Sequence, residues 1–204
     1  PLEVCVADTQ AGMGYMIAQC LSNVMNRRNL VCDVTAIVTT VLVDPQDHAF
    51  GKADKAIGPM LTAAQAETHR TNDGWQVRDE GGGRFRRVVP SPLPKAIVEL
   101  AAIKTLARAG FVVIACGGGG IPVIENENGG LTGVEAVIDK DLASSLLARG
   151  IGADLLMVST GVEKVAINFN KPNQQWLDRM TLADAKRHLA DNQFDKGSMG
   201  PKIQ

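Results

Sequence analysis

Phe111-Val112-Val113-Ile114-Ala115-Cys116-Gly117-Gly118-Gly119-Gly120-Ile121-Pro122-Val123 reads as a buried strand that empties into a ligand loop. The apolar, β-branched run has the composition of a strand covered on both faces. The four glycines that follow carry no Cβ, so their backbone can turn through positive φ and bring N–H groups up to a bound anion. A flexible linker is the competing reading, but linkers are flanked by polar residues, whereas this run sits between Val-Val-Ile and Ile-Pro-Val-Ile. A phosphate or carboxylate suits such a loop.

Working outward, Met13, Met16, Ile17, Cys20, Leu21 and Val24 recur at helical spacing, so residues 12–28 are expected as an amphipathic helix with Arg27 and Arg28 in its last turn. Residues 34–43 form a β-branched run ended by Asp44-Pro45, and one strand is expected there. Residues 44–93 change to polar residues, glycines and prolines, the texture of a long irregular insertion serving as a lid subdomain. Pro94 is expected to open a helix with Ile97, Val98, Ala101 and Leu106 on its core face, closed by Gly110 before the strand 111–116. A hairpin is expected over 125–133. Asp139 then stands where an N-cap would start the helix 140–149, with Gly150 ending it. Residues 154–160 suggest a further buried strand, and Thr181 with Asp184 a capping pair for a last helix. Strands alternating with helices imply an α/β fold, a three-layer αβα sandwich with a mostly parallel sheet, whose ligands bind at the carboxyl ends of strands.

Composition narrows the function classes. With 204 residues and 45% hydrophobic ones, the chain can bury a substantial core. A net charge of −1 offers no global field for a polyanion, and 4% aromatic residues offer few stacking platforms, so nucleic acid is excluded as a partner and a small ligand favoured. Cys5, Cys20, Cys32 and Cys116 lie in no C-x-x-C pair and read as reduced core thiols, while His48, His69 and His188 sit among polar neighbours and read as surface residues. Without a signal peptide or a membrane-length apolar run, the expected compartment is the cytoplasm, with no membrane partner. A start at Pro1 suggests a piece of a longer protein.

Two further clusters bear on chemistry. Asp139-Lys140-Asp141 puts a lysine between two carboxylates at a helix start; it reads equally as an ion-orienting cluster and as ordinary helix-terminal charge. Lys196-Gly197-Ser198-Met199-Gly200-Pro201-Lys202 brackets two glycines with lysines, which suits a phosphate grip and equally an exposed basic loop. Neither a Gly-x-Gly-x-x-Gly fingerprint, nor a P-loop, nor a serine nucleophile elbow is present.

Taken together these residues resemble the carbamate kinases of the amino-acid kinase superfamily. The resemblance runs through Gly14-Tyr15-Met16, Val43-Asp44-Pro45, Lys55-Ala56-Ile57-Gly58-Pro59, Arg86-Arg87-Val88-Val89-Pro90-Ser91-Pro92, Gly117 to Val123, Glu135 to Ala143, Val165 to Phe169 with Lys171-Pro172, and Lys196 to Lys202. It implies a partial amino-acid kinase domain over 1–204 with the lid at 44–93. It implies reversible phosphoryl transfer between ATP and carbamate, giving ADP and carbamoyl phosphate, with Mg2+, in a cytoplasmic homodimer linked to arginine metabolism. By motif position, Lys140, Lys202, Asp141 and Lys55 would be catalytic, and Gly117, Gly118, Gly119, Gly120 and Asp139 would hold the carbamate or its phosphate. Thr160, Val162, Ala166, Asn168, Phe169, Lys196 and Met199 would form the nucleotide side, and the metal ligands stay unassigned. A non-catalytic nucleotide binder, or a paralogue serving another carbamoyl-phosphate pathway, is the alternative. Departures from the family pattern motivate it: in the lid, Ala56 for a proline and Gly83-Arg84 for Arg-Gly, and further on Ala166 for a common tyrosine; Gln10-Ala11-Gly12-Met13 also differs from the usual Gln-Gly-x-Ile. The family's first glycine-rich turn and closing strands have no counterpart here, so an internal fragment is expected, with exposed sheet edges that favour aggregation.

Overall fold

The computed structural model describes residues 1–195 and 197–204. It divides into two compact units, Pro1–Gly152 and Ala153–Gln204. The first unit runs α1 (Leu2–Arg27), β1 (Val34–Ala36), β2 (Thr40–Val43), β3 (Lys55–Thr62), α2 (Ala63–Asp73), β4 (Gln76–Gly81), β5 (Arg84–Val89), β6 (Pro94–Ile97), α3 (Leu100–Arg108), β7 (Val112–Ile114), β8 (Ile121–Glu125), β9 (Leu131–Gly133) and α4 (Lys140–Ile151). The second holds β10 (Val165–Ile167), β11 (Gln175–Leu177), α5 (Leu182–Ala190) and α6 (Met199–Ile203).

The first unit is α/β. β1 and β7 pair in parallel, as do β2 and β8, with β6 and β9 added antiparallel at the edges in the order β6-β2-β8-β9. Side chains alternate across a strand, so successive residues meet different layers. Ala36 faces α1, where a Cβ on Gly14 would come within 2.8 Å of its own Cβ, which is why that helix position carries glycine. Val113 instead packs with Val41, Val43, Ile97, Ile103, Ile138 and Ala143, the core shared with α3 and α4. Helices therefore cover both faces.

Several expectations change. α1 begins at Leu2 rather than at residue 12. Buried Gln10 interrupts the apolar stripe, so hydrophobic spacing alone loses the helix's first turns. The run 34–43 is two strands, because residues 37–39 leave the ladder between partners β7 and β8. Residues 94–99 are not the start of a helix. Pro94 opens edge strand β6, where a missing N–H is tolerated. Val98 N–H then donates to Thr40 O at 3.0 Å and Thr40 N–H to Glu99 Oε2 at 2.7 Å, so β2 claims the segment up to the helix start at Leu100.

The segment 44–93 is not irregular. β3, β5 and β4 form an antiparallel sheet covered by α2, whose start carries the Thr62–Gln65 capping box. Gly81, Gly82 and Gly83, all at positive φ, make the turn between β4 and β5. The 125–133 hairpin forms as expected through β8 and β9. α4 runs past Gly150 and stops at Gly152, which holds the left-handed C-cap. Residues 154–160 form no strand: an apolar run needs a neighbouring backbone to complete its ladder, none of the described residues supplies one, and Leu155 and Met157 stand 72% and 81% exposed. Of the four free thiols only Cys116 is buried; Cys5 and Cys20 are exposed on α1.

In the second unit β10 and β11 form an antiparallel pair, Phe169 meets Trp176 edge to face, and Thr181 and Asp184 cap α5 as expected.

Candidate active site

β7 ends at Ile114, and the chain turns sharply through Cys116 (φ 63°), Gly117 (φ 47°), Gly119 (φ 138°) and Gly120 (φ 92°) before entering the four-stranded sheet as β8. Two of these glycines are required by close approach. A Cβ on Gly119 would fall 2.1 Å from the Ile138 carbonyl oxygen, and one on Gly120 2.3 Å from Val41 Cγ2. The glycine loop is thus pressed directly against the segment that leads into α4.

Asp139 starts that helix. Its Oδ1 accepts the Asp141 N–H at 2.9 Å, the N-cap the sequence suggested, and its Oδ2 accepts a hydrogen bond from Lys55 Nζ at 2.7 Å. Lys55 is the first residue of β3, so an ion pair joins the 44–93 segment to the start of α4. Asp139 is only 7% exposed. Burial by itself pushes its carboxyl up, but the Lys55 ammonium, the Asp141 N–H and the Lys140 charge together hold it below the usual value. Lys140 Nζ lies 3.7 Å from Asp141 Oδ2, with the lysine side chain 62% exposed. The outcome is two ammonium groups, each beside an aspartate at the start of α4, together with the positive end of that helix and a glycine loop, all within one unit. Such a set suits the binding and charge neutralisation of a small anion.

A second tie fixes the 44–93 segment. Arg87 on β5 pairs with Glu135, whose other oxygen accepts the Leu2 N–H at 2.9 Å, and the guanidinium lies 4.3 Å from the centroid of the Trp75 ring. A mainly apolar cavity of about 840 Å³ opens on the α1 side of the loop, bounded by Val6, Met13, Ile114, Pro59, Trp75 and Gly118. Lys55, Asp139, Lys140 and Asp141 do not line it, so the charged cluster and the cavity are separate features.

The residues expected on the nucleotide side belong to the Ala153–Gln204 unit. Ala166 is buried in β10, Asn168 turns at φ 50° with its N–H donated to Gln193 Oε1 at 2.8 Å, and Phe169 is 52% exposed. Thr160 and Val162 are exposed in irregular backbone; Met199 and Lys202 lie in α6. Lys196 lies outside the described residues. Among the described residues no three His, Cys, Asp or Glu side chains gather as a metal site. No described helix is long and apolar enough to cross a membrane.

Two polar residues that touch the loop were not expected there: Thr39, which sequence reading passed over, and Gln10, which it met only within a departure from the family pattern. Thr39 Oγ1 accepts the Cys116 N–H at 2.8 Å, and the Gln10 amide bonds the Thr39 backbone. A threonine in a β-branched run and a glutamine on a helix carry no local mark of such contacts.

An α/β chain in which a glycine loop, a capped helix start and two aspartate-paired lysines meet has the make-up of a protein that handles a small anion. The chain belongs to the amino acid kinase family, whose model matches residues 12–204. It is 47% identical over 203 residues to the carbamate kinase of Thermococcus kodakarensis and 50% identical over 204 residues to the carbamate kinase-like protein YahI of Escherichia coli. Each alignment takes in 100% of this chain and 64% of the relative, so the chain spans under two thirds of their length. The structure of the Giardia lamblia carbamate kinase bound to AMP-PNP superposes with a TM-score of 0.89 at 42% identity, over 100% of this chain and 64% of that one.

Proposed function

We propose that this chain carries the phosphotransferase machinery of a carbamate kinase, which moves a phosphoryl group reversibly between ATP and carbamate to give ADP and carbamoyl phosphate. The observation that supports it most is the packing of the glycine loop on the start of α4, beside the Lys55–Asp139 pair and Lys140. In the forward direction the bond between the γ-phosphorus and the ADP oxygen breaks and one to a carbamate oxygen forms. The protein's task is positioning and charge neutralisation rather than covalent chemistry.

In this reading the Gly117, Gly118, Gly119 and Gly120 segment cradles the carbamate or its phosphate. Lys55, Lys140 and Lys202 neutralise the transferring oxygens. Asp139 and Asp141 hold the lysines in direction. Thr160, Val162, Ala166, Asn168, Phe169, Lys196 and Met199 take the nucleotide. The segment 44–93 acts as a lid that delivers Lys55. In this reading Mg2+ arrives on the nucleotide phosphates, as this ion commonly does. The protein is further proposed to be a cytoplasmic homodimer with a place in arginine metabolism.

The test is ATP formation from ADP and carbamoyl phosphate by the full-length protein with Mg2+, beside Lys140→Ala. Activity is expected, with a loss of about 10²–10³-fold in the variant. A full-length protein that binds ADP without turnover would instead favour a non-catalytic relative or one serving another pathway, a reading supported by the 50% identity to a carbamate kinase-like protein and by Ala166 in β10.

A further inference from the structure

We infer that Thr39 and Gln10 are positioning residues that set the conformation of the glycine loop. The inference rests on the proposed role of that loop as the cradle for the transferred phosphate.

Thr39 sits in the gap between β1 and β2 and is fully buried; Gln10 on α1 is 7% exposed. Buried polar groups persist where their hydrogen bonds are made, and here they run from the residues flanking the glycines to Thr39 and from Thr39 to Gln10. The Thr39 hydroxyl accepts the Cys116 N–H at 2.8 Å and donates to the Ile37 carbonyl at 2.8 Å. The Thr39 carbonyl accepts the Ile121 N–H at 2.8 Å. One residue therefore holds the backbone on both sides of the four glycines.

Gln10 in turn holds Thr39. Its Oε1 accepts the Thr39 N–H at 3.0 Å and its Nε2 donates to the Thr39 carbonyl at 3.1 Å, the two-bond pattern a neighbouring strand residue would supply. Its side chain also occupies the space beside Gly117, where a Cβ would come within 2.5 Å of Gln10 Cγ. Cys116 has a positive φ of 63°, uncommon for a residue with a Cβ, and its N–H is the one donated to Thr39. Four consecutive glycines have little conformational preference of their own. Anchors outside the run therefore decide where the loop amides point. A valine at 39 would fill the same volume without providing that anchor.

The test uses full-length protein labelled with 15N-glycine, titrated with inorganic phosphate, as wild type, Thr39→Val, Thr39→Ser and Gln10→Met. Loop glycine signals are expected to move in the wild type. Thr39→Val and Gln10→Met should each weaken the phosphate Kd by about tenfold, the order of effect of one buried hydrogen bond left unmade. Thr39→Ser should restore binding, and ADP affinity should stay unchanged throughout. Wild-type phosphate affinity in both Thr39→Val and Gln10→Met would overturn the inference while leaving the anion-loop reading intact. Equal weakening for phosphate and ADP with no rescue by serine would reduce the pair to a purely structural role and also overturn it. Glycine signals that ignore phosphate in the wild type would remove the anion-loop reading itself, and this inference with it.

Discussion

Replacing Asp139 separates two jobs held by one carboxylate. Asp139→Asn keeps a side-chain oxygen for the Asp141 N–H, since asparagine caps helices about as well as aspartate, but it discards the charge opposite Lys55. The ion pair is short, 2.7 Å, with the aspartate side chain 9% and the lysine side chain 32% exposed. That places it between a surface pair, worth about 0–1 kcal/mol, and a buried one, whose breaking costs about 3–5 kcal/mol; roughly 1–2 kcal/mol is expected. Asp139→Ala removes the cap as well and should cost about 1 kcal/mol more. Urea unfolding of the full-length protein at pH 7, with wild type and both variants compared at equal m-value, measures these differences.

The pH dependence has a definite sign. The folded carboxyl titrates below its ordinary value, so its contribution is complete above about pH 4, where the unfolded group is ionised, and is lost as pH falls through the lower folded value. The gap between wild type and Asp139→Asn should therefore be constant from pH 5 to pH 7 and shrink below pH 4. An asparagine variant as stable as wild type at neutral pH, or a gap that widens in acid, would refute the assignment of this pair.

Gly119→Ala should be far more damaging than its size suggests, because the new methyl would lie 2.1 Å from the Ile138 carbonyl at a φ of 138°. A loss of about 1–3 kcal/mol in urea unfolding, with the larger effect on phosphate binding, is expected; a neutral substitution would show that the loop does not press on the α4 start. Cys116 should resist alkylation by iodoacetamide at pH 8 in the native state while exposed Cys5 and Cys20 react, because burial first, and the Glu99 charge second, push its thiol up to about 11. Mass spectrometry of the labelled protein reads this out, and rapid labelling of Cys116 before the other two would contradict it.

What the sequence by itself determined was local. Four glycines after an apolar strand announce a loop at positive φ, Asp139 announces a helix start, and Thr181 with Asp184 announces another, because each signal lies within a few residues and reflects the backbone's own preferences. The α/β class followed from the alternation of such segments, and the motifs pointed to the amino acid kinase family matched over residues 12–204.

What only the tertiary structure decided involves partners distant in sequence. β2 turns residues 94–99 from an expected helix into an edge strand and an anchor, and separate pairing with β7 and β8 divides the run 34–43. The Lys55–Asp139 pair joins residues 84 positions apart, and the Thr39–Cys116 bond spans 77. Local periodicity reports the energy of a segment against its own neighbours. Which buried donor meets which acceptor depends on where the packed layers place them, and one of three threonines in a β-branched run shows nothing of that before the chain has folded.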